Sequence, residues 1–293
     1  MMKTPFLLLS LVALSLGLGC THAPRREPAQ ALNSVQAVCG SGRQGSQSYS
    51  WCVQSEPKPR SGTVLYYFHG NGGNESSWNT PEHQKLVSLW GKQASAPSAI
   101  VSISFGKNWF LNQNLQEVVA RKIIPDIESR LGFAVKRRVL LGESMGGFNA
   151  AVMALASPKV FDRIAISCPA VYPINPYAST REVSQFVARQ PAGVNTKFIL
   201  KWLGKQQSYF RSAQEFSALD PIRMPEKLSS SNTAFYMMGD ENDSLGVYEG
   251  AKLMAGAAKK RGLNVQWWSI PNADHCQHSG PSLEALAKFL AAE

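Results

Sequence analysis

At 293 residues and 44% hydrophobic content, the chain can bury the core of one large α/β domain. Its formal net charge is +10, but the cations are scattered into short clusters such as Lys136-Arg137-Arg138 and Lys259-Lys260-Arg261. No basic stripe or nucleotide-binding loop is present, so a nucleic-acid partner is not expected.

The chain opens with Met1-Met2-Lys3, an apolar run from Phe6 to Leu18, and then Gly19-Cys20. A basic start, a short apolar core and small residues read as an export signal over residues 1–19. The run is too short to span a bilayer. Leu18-Gly19-Cys20 resembles a bacterial lipobox, with Gly17 where a larger residue is usual. Cys20 is therefore the expected lipidation residue, with plain secretion the alternative. The expected location is the bacterial periplasm or outer surface, with membrane contact only through that lipid. Residues 20–35 are rich in Pro, Ala, Arg and Gln and read as a tether. The catalytic domain is expected over 36–293.

Four cysteines follow Cys20, and an even count in an oxidising compartment suggests two bridges. Cys39 and Cys52 flank a Gly/Ser/Gln-rich stretch that reads as a hairpin loop, so they are expected to pair. Cys168 ends a predicted strand, and Cys276 lies in a histidine-bearing loop. A bridge between them would pin that loop; the alternative is two buried free thiols.

In chain order, residues 49–54 read as an early edge strand, and Thr63–Phe68 as a buried one. An amphipathic helix is expected over 82–95 and a strand over 99–104. A long amphipathic helix runs from Leu115 to Leu131, with a kink expected at Pro125 and an end at Gly132. Strands are then expected at 138–141, 163–168, 233–238 and 264–270, and helices at 148–156, 247–261 and 282–291. This alternation predicts a mostly parallel, doubly wound sheet. Residues 172–230 break the rhythm. They are Pro-, Ser- and Gln-rich, with helical pieces near 179–189 and 205–218, and read as a lid-like excursion.

Between the fourth strand and its helix stands Gly142-Glu143-Ser144-Met145-Gly146-Gly147. A Gly-x-Ser-x-Gly stretch in a strand–turn–helix context matches the nucleophile elbow of the α/β-hydrolase fold. The turn pushes the serine hydroxyl out at the carboxyl end of the sheet and sets the next N–H at a helix N-terminus. Ser144 is the expected nucleophile, and the Met145 N–H an expected oxyanion donor.

A serine nucleophile needs a base and an orienting acid, which in this fold follow later strands in the order acid, then histidine. Gly239-Asp240-Glu241-Asn242-Asp243 supplies two candidate acids, Asp240 and Asp243. Asp274-His275-Cys276-Gln277-His278 supplies two candidate bases. His275 is nearer the strand end and is preferred. The second oxyanion donor is expected from His69-Gly70-Asn71-Gly72-Gly73, at the Asn71 N–H, with His69 structural.

These segments together resemble the esterase D / feruloyl esterase family. The carriers are His69-Gly-Asn-Gly-Gly-Asn-Glu-Ser-Ser-Trp78, the elbow Gly142–Gly147, and Asp243-Ser-Leu-Gly-Val-Tyr-Glu-Gly250. The resemblance covers residues 60–293 and favours Asp243 over Asp240. The chain departs from the pattern by one extra residue between Gly239 and Asp243, by a divergent 172–230 region and by the doubled histidine loop. The resemblance implies a serine hydrolase acting on acetyl, feruloyl or other short acyl esters, carbohydrate-linked ones included. No His-x-x-x-His or paired Cys-x-x-Cys spacing occurs, so no metal is expected, and no cofactor. Trp78 and Trp109 are the expected substrate-binding aromatics, and Trp202 is expected to serve packing. The rival readings are acyl transfer to a sugar alcohol and a non-catalytic surface module on the same fold. The oligomeric state is not legible.

Overall fold

The computed structural model describes residue 32 and residues 35–292, except 60, 92–95, 112–113, 224–225, 227 and 229–231. The export segment, Cys20 and nearly all of the tether lie outside the described residues. Among the described residues, no helix is long and apolar enough to cross a membrane.

Eight strands form one sheet: β1 (Val38–Gln44), β2 (Gln47–Ser55), β3 (Thr63–Phe68), β4 (Ala99–Ser104), β5 (Arg137–Glu143), β6 (Arg163–Ser167), β7 (Ala234–Asp240) and β8 (Val265–Ile270). Their spatial order is β1-β2-β4-β3-β5-β6-β7-β8. From β4 to β8 every pairing is parallel, and β1 and β2 add an antiparallel edge. This is the α/β-hydrolase fold. Strands β3 and β4 are buried along their whole lengths, which is why β3 reads as a β-rich apolar run without alternation.

The pleat divides the core. Leu65, Tyr67, Val139 and Leu141 point to the face covered by α1 (Pro81–Gly91) and by the last helix (Gly280–Ala291). Val64, Tyr66, Phe68 and Leu140 point to the other face. There they meet the segment α2 (Leu115–Val118), a π turn (Val119–Ile123) and α3 (Ile124–Glu128), together with α4 (Met145–Ala156). The remaining helices are α5 (Thr180–Ala188), α6 (Thr196–Gln207), α7 (Ala213–Leu219), α8 (Tyr248–Lys260) and α9 (Gly280–Ala291).

Three expectations change. The strand read at 49–54 is not the edge; β1 lies outside it, and Cys39 sits opposite Cys52 in register, with Cα atoms 4.0 Å apart in the bridged pair. The weak pattern of Val-Cys-Gly-Ser-Gly-Arg-Gln hid β1, because an outer strand exposes most of its residues. The helix expected over Leu115–Leu131 with a kink at Pro125 is α2, a π turn and α3; the turn before Pro125 is widened, and the Ile124 N–H reaches the Val119 carbonyl. A π turn of this kind absorbs the hydrogen bond that proline cannot donate. The helix expected at 205–218 is two helices, α6 and α7, separated at Ser208–Ser212, where the Ser212 hydroxyl caps the second.

The excursion packs its own apolar layer over the start of α4. Phe186, Ile199, Trp202 and Leu203 meet Met145, Phe148 and Val152 there.

Candidate active site

Glycine is required where α4 leaves β5. A Cβ on Gly146 would land on the Phe68 carbonyl, and one on Gly142 would strike Gly146. Strand and helix can approach only if both are bare. The close approach forces Ser144 to φ 54°, ψ −113°, a left-handed strain that a non-glycine residue rarely carries. Neighbouring backbone holds it: the Ser144 N–H donates to the Ser167 carbonyl at 3.0 Å, and the Ser144 carbonyl accepts from Ala170 N–H at 3.1 Å.

The Ser144 hydroxyl lies 2.8 Å from His275 Nε2, and His275 Nδ1 lies 2.6 Å from Asp243 Oδ2. A buried carboxylate facing Nδ1 accepts from it and holds the proton on that nitrogen, so Nε2 is left to accept from the serine hydroxyl. Asp243 is 3% exposed, and its other oxygen accepts the Leu245 N–H at 2.8 Å. The acid and histidine loops are also sewn together by Asp274. Its Oδ1 accepts Ser244 N–H at 2.8 Å and His275 N–H at 2.6 Å. The Ser244 amide, first, holds the Asp274 carboxyl below its ordinary range.

The two rivals take other places. Asp240 is fully buried and accepts the Cys276 N–H at 2.8 Å, while its Oδ1 makes no hydrogen bond among the described residues. Burial raises its carboxyl to about 6. His278 points inward, with Nε2 3.1 Å from the Ser167 hydroxyl and 3.8 Å from Glu143 Oε1. Cys276, next to His275, is bridged to Cys168, so the histidine loop is tied to the end of β6 across 108 residues.

Under the serine, His69 Nδ1–H donates to the Gly70 carbonyl at 2.7 Å, and the Ser104 hydroxyl meets Nε2 at 2.8 Å. Burial lowers the His69 pKa. The ring is a neutral strut for the loop. Gly70 passes close to the nucleophile candidate; a Cβ there would touch the Ser144 Cβ at 3.4 Å. Asn71 follows on the same loop, and the Met145 N–H is the first amide of α4, which has no acceptor within its own helix.

Asn71 and Trp109 line a cavity of about 520 Å³, together with Lys107, Phe198, Lys201, Trp202 and Lys205. Trp202, expected only to pack, is thus also a wall. Trp78 is carried away from this cavity. It is 3% exposed and lies flat on His83, 4.4 Å between ring centres, because the turn into α1 folds it back against the sheet.

Sequence reasoning passed over His83 and Glu143. Glu143 Oε2 accepts the Tyr67 hydroxyl at 2.7 Å, and Oε1 faces His83 Nε2 at 3.1 Å. Burial pushes the Glu143 carboxyl up, but His83 and His278 outweigh it and hold it well below the usual carboxylate range. The one available signal was an acidic residue at a position flanking the elbow serine.

A family model described as "Putative esterase" matches residues 53–287. No curated protein shows significant sequence similarity to the chain. Among solved structures, an esterase from Pyrobaculum calidifontis superposes with TM-score 0.62 at 18% identity, over 89% of this chain and 87% of that one. A thermostable esterase from Pseudomonas putida gives 0.60 at 18% identity, over 89% and 82%. A ferulic acid esterase gives 0.59 at 15% identity, over 87% and 96%.

Proposed function

The chain belongs to the Esterase family, and from that footing we propose that it cleaves carboxylic esters as a serine hydrolase, with Ser144 as nucleophile, His275 as base and Asp243 as orienting acid. The observation that carries this reading is the unbroken chain of two hydrogen bonds from Ser144 Oγ through His275 to Asp243.

Ser144 Oγ attacks the ester carbonyl while His275 Nε2 takes its proton. The carbonyl oxygen becomes an oxyanion, held by the Met145 and Asn71 N–H groups. His275 returns the proton to the leaving alcohol oxygen, and the acyl group remains on Ser144. Water then enters, His275 deprotonates it, and the acid departs as Ser144 recovers its hydrogen. Asp243 keeps the imidazole in one tautomer and offsets the positive charge it carries between steps. The strained Ser144 backbone positions Oγ toward both donors and base.

Short acyl esters are the expected substrates, feruloyl and acetyl among them, with Trp109 beside the scissile group. The likeness to a ferulic acid esterase supports an aromatic acyl group at the level of fold. Export through residues 1–19, with lipidation at Cys20, fits the two disulfides, which persist in oxidising compartments.

The test is turnover of p-nitrophenyl butyrate by the protein and by Ser144→Ala, together with fluorophosphonate labelling. Turnover by the parent, background rates in the variant and a label on Ser144 are expected. A parent that neither turns over nor takes the label ends the serine-esterase reading.

A further inference from the structure

The cavity beside Asn71 has a chemistry that ester cleavage alone does not require. Its floor is aromatic. Trp109 and Trp202 stack with ring centres 3.4 Å apart, and Phe198 adds an apolar edge. Its rim is cationic. Lys107, Lys201 and Lys205 all line it, and no carboxylate does. All three lysines are exposed to solvent at the cavity mouth.

The cations come mostly from α6, Thr-Lys-Phe-Ile-Leu-Lys-Trp-Leu-Gly-Lys-Gln-Gln, which contains no acidic residue. Lys197, Lys201 and Lys205 stand four residues apart, so they fall on one face of the helix. Like charges at that spacing destabilise a helix. Lys197 also sits in the first turn, where the helix dipole disfavours a cation. Among the described residues, none of Lys107, Lys197, Lys201 and Lys205 takes part in an ion pair. Only Lys205 has another partner, the Tyr209 ring 5.2 Å away. Apart from that ring and the helix C-terminus beside Lys205, the row works against its own helix and is offset by no carboxylate among the described residues.

The floor is wired to the reacting centre. Trp202 Nε1–H donates to the Ala170 carbonyl at 3.0 Å, and the Ala170 N–H donates to the Ser144 carbonyl at 3.1 Å. Asn71 belongs both to the cavity and to the loop that passes under Ser144. A substrate whose carbonyl sits between Asn71 and Ser144 can extend one arm past Asn71 into this cavity.

We propose that this enzyme selects esters bearing a negative charge, a carboxylate, sulfate or phosphate on the arm that lies over Trp109 and Trp202 between Lys107, Lys201 and Lys205. The proposal rests on the esterase reading and names its substrate class. The aromatic floor receives the planar or apolar part of that arm, and the lysines neutralise the charge at its end. The charge is recognised in the ground state and the transition state alike, so the gain falls on KM rather than kcat.

The test compares four esters with the parent and with the combined Lys107→Gln, Lys201→Gln, Lys205→Gln variant. Mono-p-nitrophenyl glutarate carries the anion on the acyl side and is paired with neutral p-nitrophenyl valerate. 4-Acetoxybenzenesulfonate carries it on the alcohol side and is paired with its neutral sulfonamide. In the parent, one anionic ester should exceed its neutral partner by about tenfold in kcat/KM, through KM, as one or two partly screened charge pairs would give. The ester that does so identifies the arm. That ratio should fall toward one in the lysine variant and in high salt, where the Debye length shrinks to about 3 Å at 1 M. A Lys260→Gln control, on α8, should leave the ratio as in the parent. Ratios near one for both pairs in the parent, or a preference that survives in the variant, overturns the proposal while leaving the esterase standing. Absence of turnover on all four esters with no fluorophosphonate label on Ser144 removes both together.

Discussion

Glu143 Oε1 lies 3.1 Å from His83 Nε2, directly behind the turn that carries Ser144. His83 Nδ1 faces the Trp78 carbonyl at 3.0 Å, an atom that can only accept. Both ring nitrogens therefore donate, and His83 is an imidazolium paired with a carboxylate. Trp78 stacks on that cation, and Tyr67 binds the other carboxylate oxygen. A pair buried to 6% and 15% side-chain exposure beside the elbow gives the strained turn a rigid backing.

Removing one partner should therefore cost more than a surface pair would. Glu143→Gln is expected to destabilise the fold by about 2–4 kcal/mol near pH 6 and to label at Ser144 more slowly than the parent. The Glu143 contribution is complete above its ordinary 4.5 and fades as pH falls through its lowered folded value. The His83 contribution is complete below its ordinary 6.5 and fades as pH rises through its raised folded value. Burial opposes the charge on His83, but Glu143 outweighs it. Melting curves across pH should show the largest gap between parent and variant between 4.5 and 6.5, closing toward alkaline pH. A gap that is flat with pH would contradict the ion pair.

Asp240 ends β7 and Asp243 lies in the loop after it, and the two acids should separate cleanly in kinetics. Asp243→Asn disturbs the His275 tautomer and should lower kcat by about 10³–10⁴-fold. Asp240→Asn, which can keep accepting the Cys276 N–H, should lower it by less than about tenfold. Steady-state kinetics on one ester decides between them.

Asp240 also carries a stability signature. Burial raises its folded pKa from 3.8 to about 6, so its contribution is greatest below 3.8 and is lost as pH rises through about 6. Asp240→Asn removes that loss. Relative to the parent, the variant should gain about 2 kcal/mol on passing from pH 3.5 to pH 7, read from denaturant midpoints.

The two disulfides are expected to differ in what they support. Cys276 flanks His275, and its bridge closes a span of 108 residues. Cys168→Ala with Cys276→Ala should lower stability by about 2–5 kcal/mol and also lower kcat, as the histidine loop loses its tie to β6. The bridge between Cys39 and Cys52 spans 13 residues at the outer edge of the sheet, away from the elbow. Its removal should shift the melting temperature while leaving kcat within about twofold of the parent. Parallel melts and single-substrate kinetics on both double variants check this.

Much of the architecture was written locally. Thr63–Phe68 read as a buried strand from its apolar, β-rich run and Ala99–Ser104 as a strand, and the elbow was legible because only glycine fits two residues either side of Ser144. The pairing of Cys39 with Cys52 followed from a short hairpin. Longer relationships were not written that way. Ser144 and His275 are 131 residues apart, and His83 and Glu143 are 60 apart; each meeting depends on strand order in the sheet. Which of Asp240 and Asp243 reaches the histidine was decided by how the loop after β7 turns, with Asp274 tying it to the loop after β8. Trp78 went to the core and Trp202 to a cavity wall for the same reason. Composition and spacing determine local backbone and burial, which are set by neighbours in the chain. The partners of a buried charge or a cavity wall are set by packing across the sheet, which only the folded chain specifies.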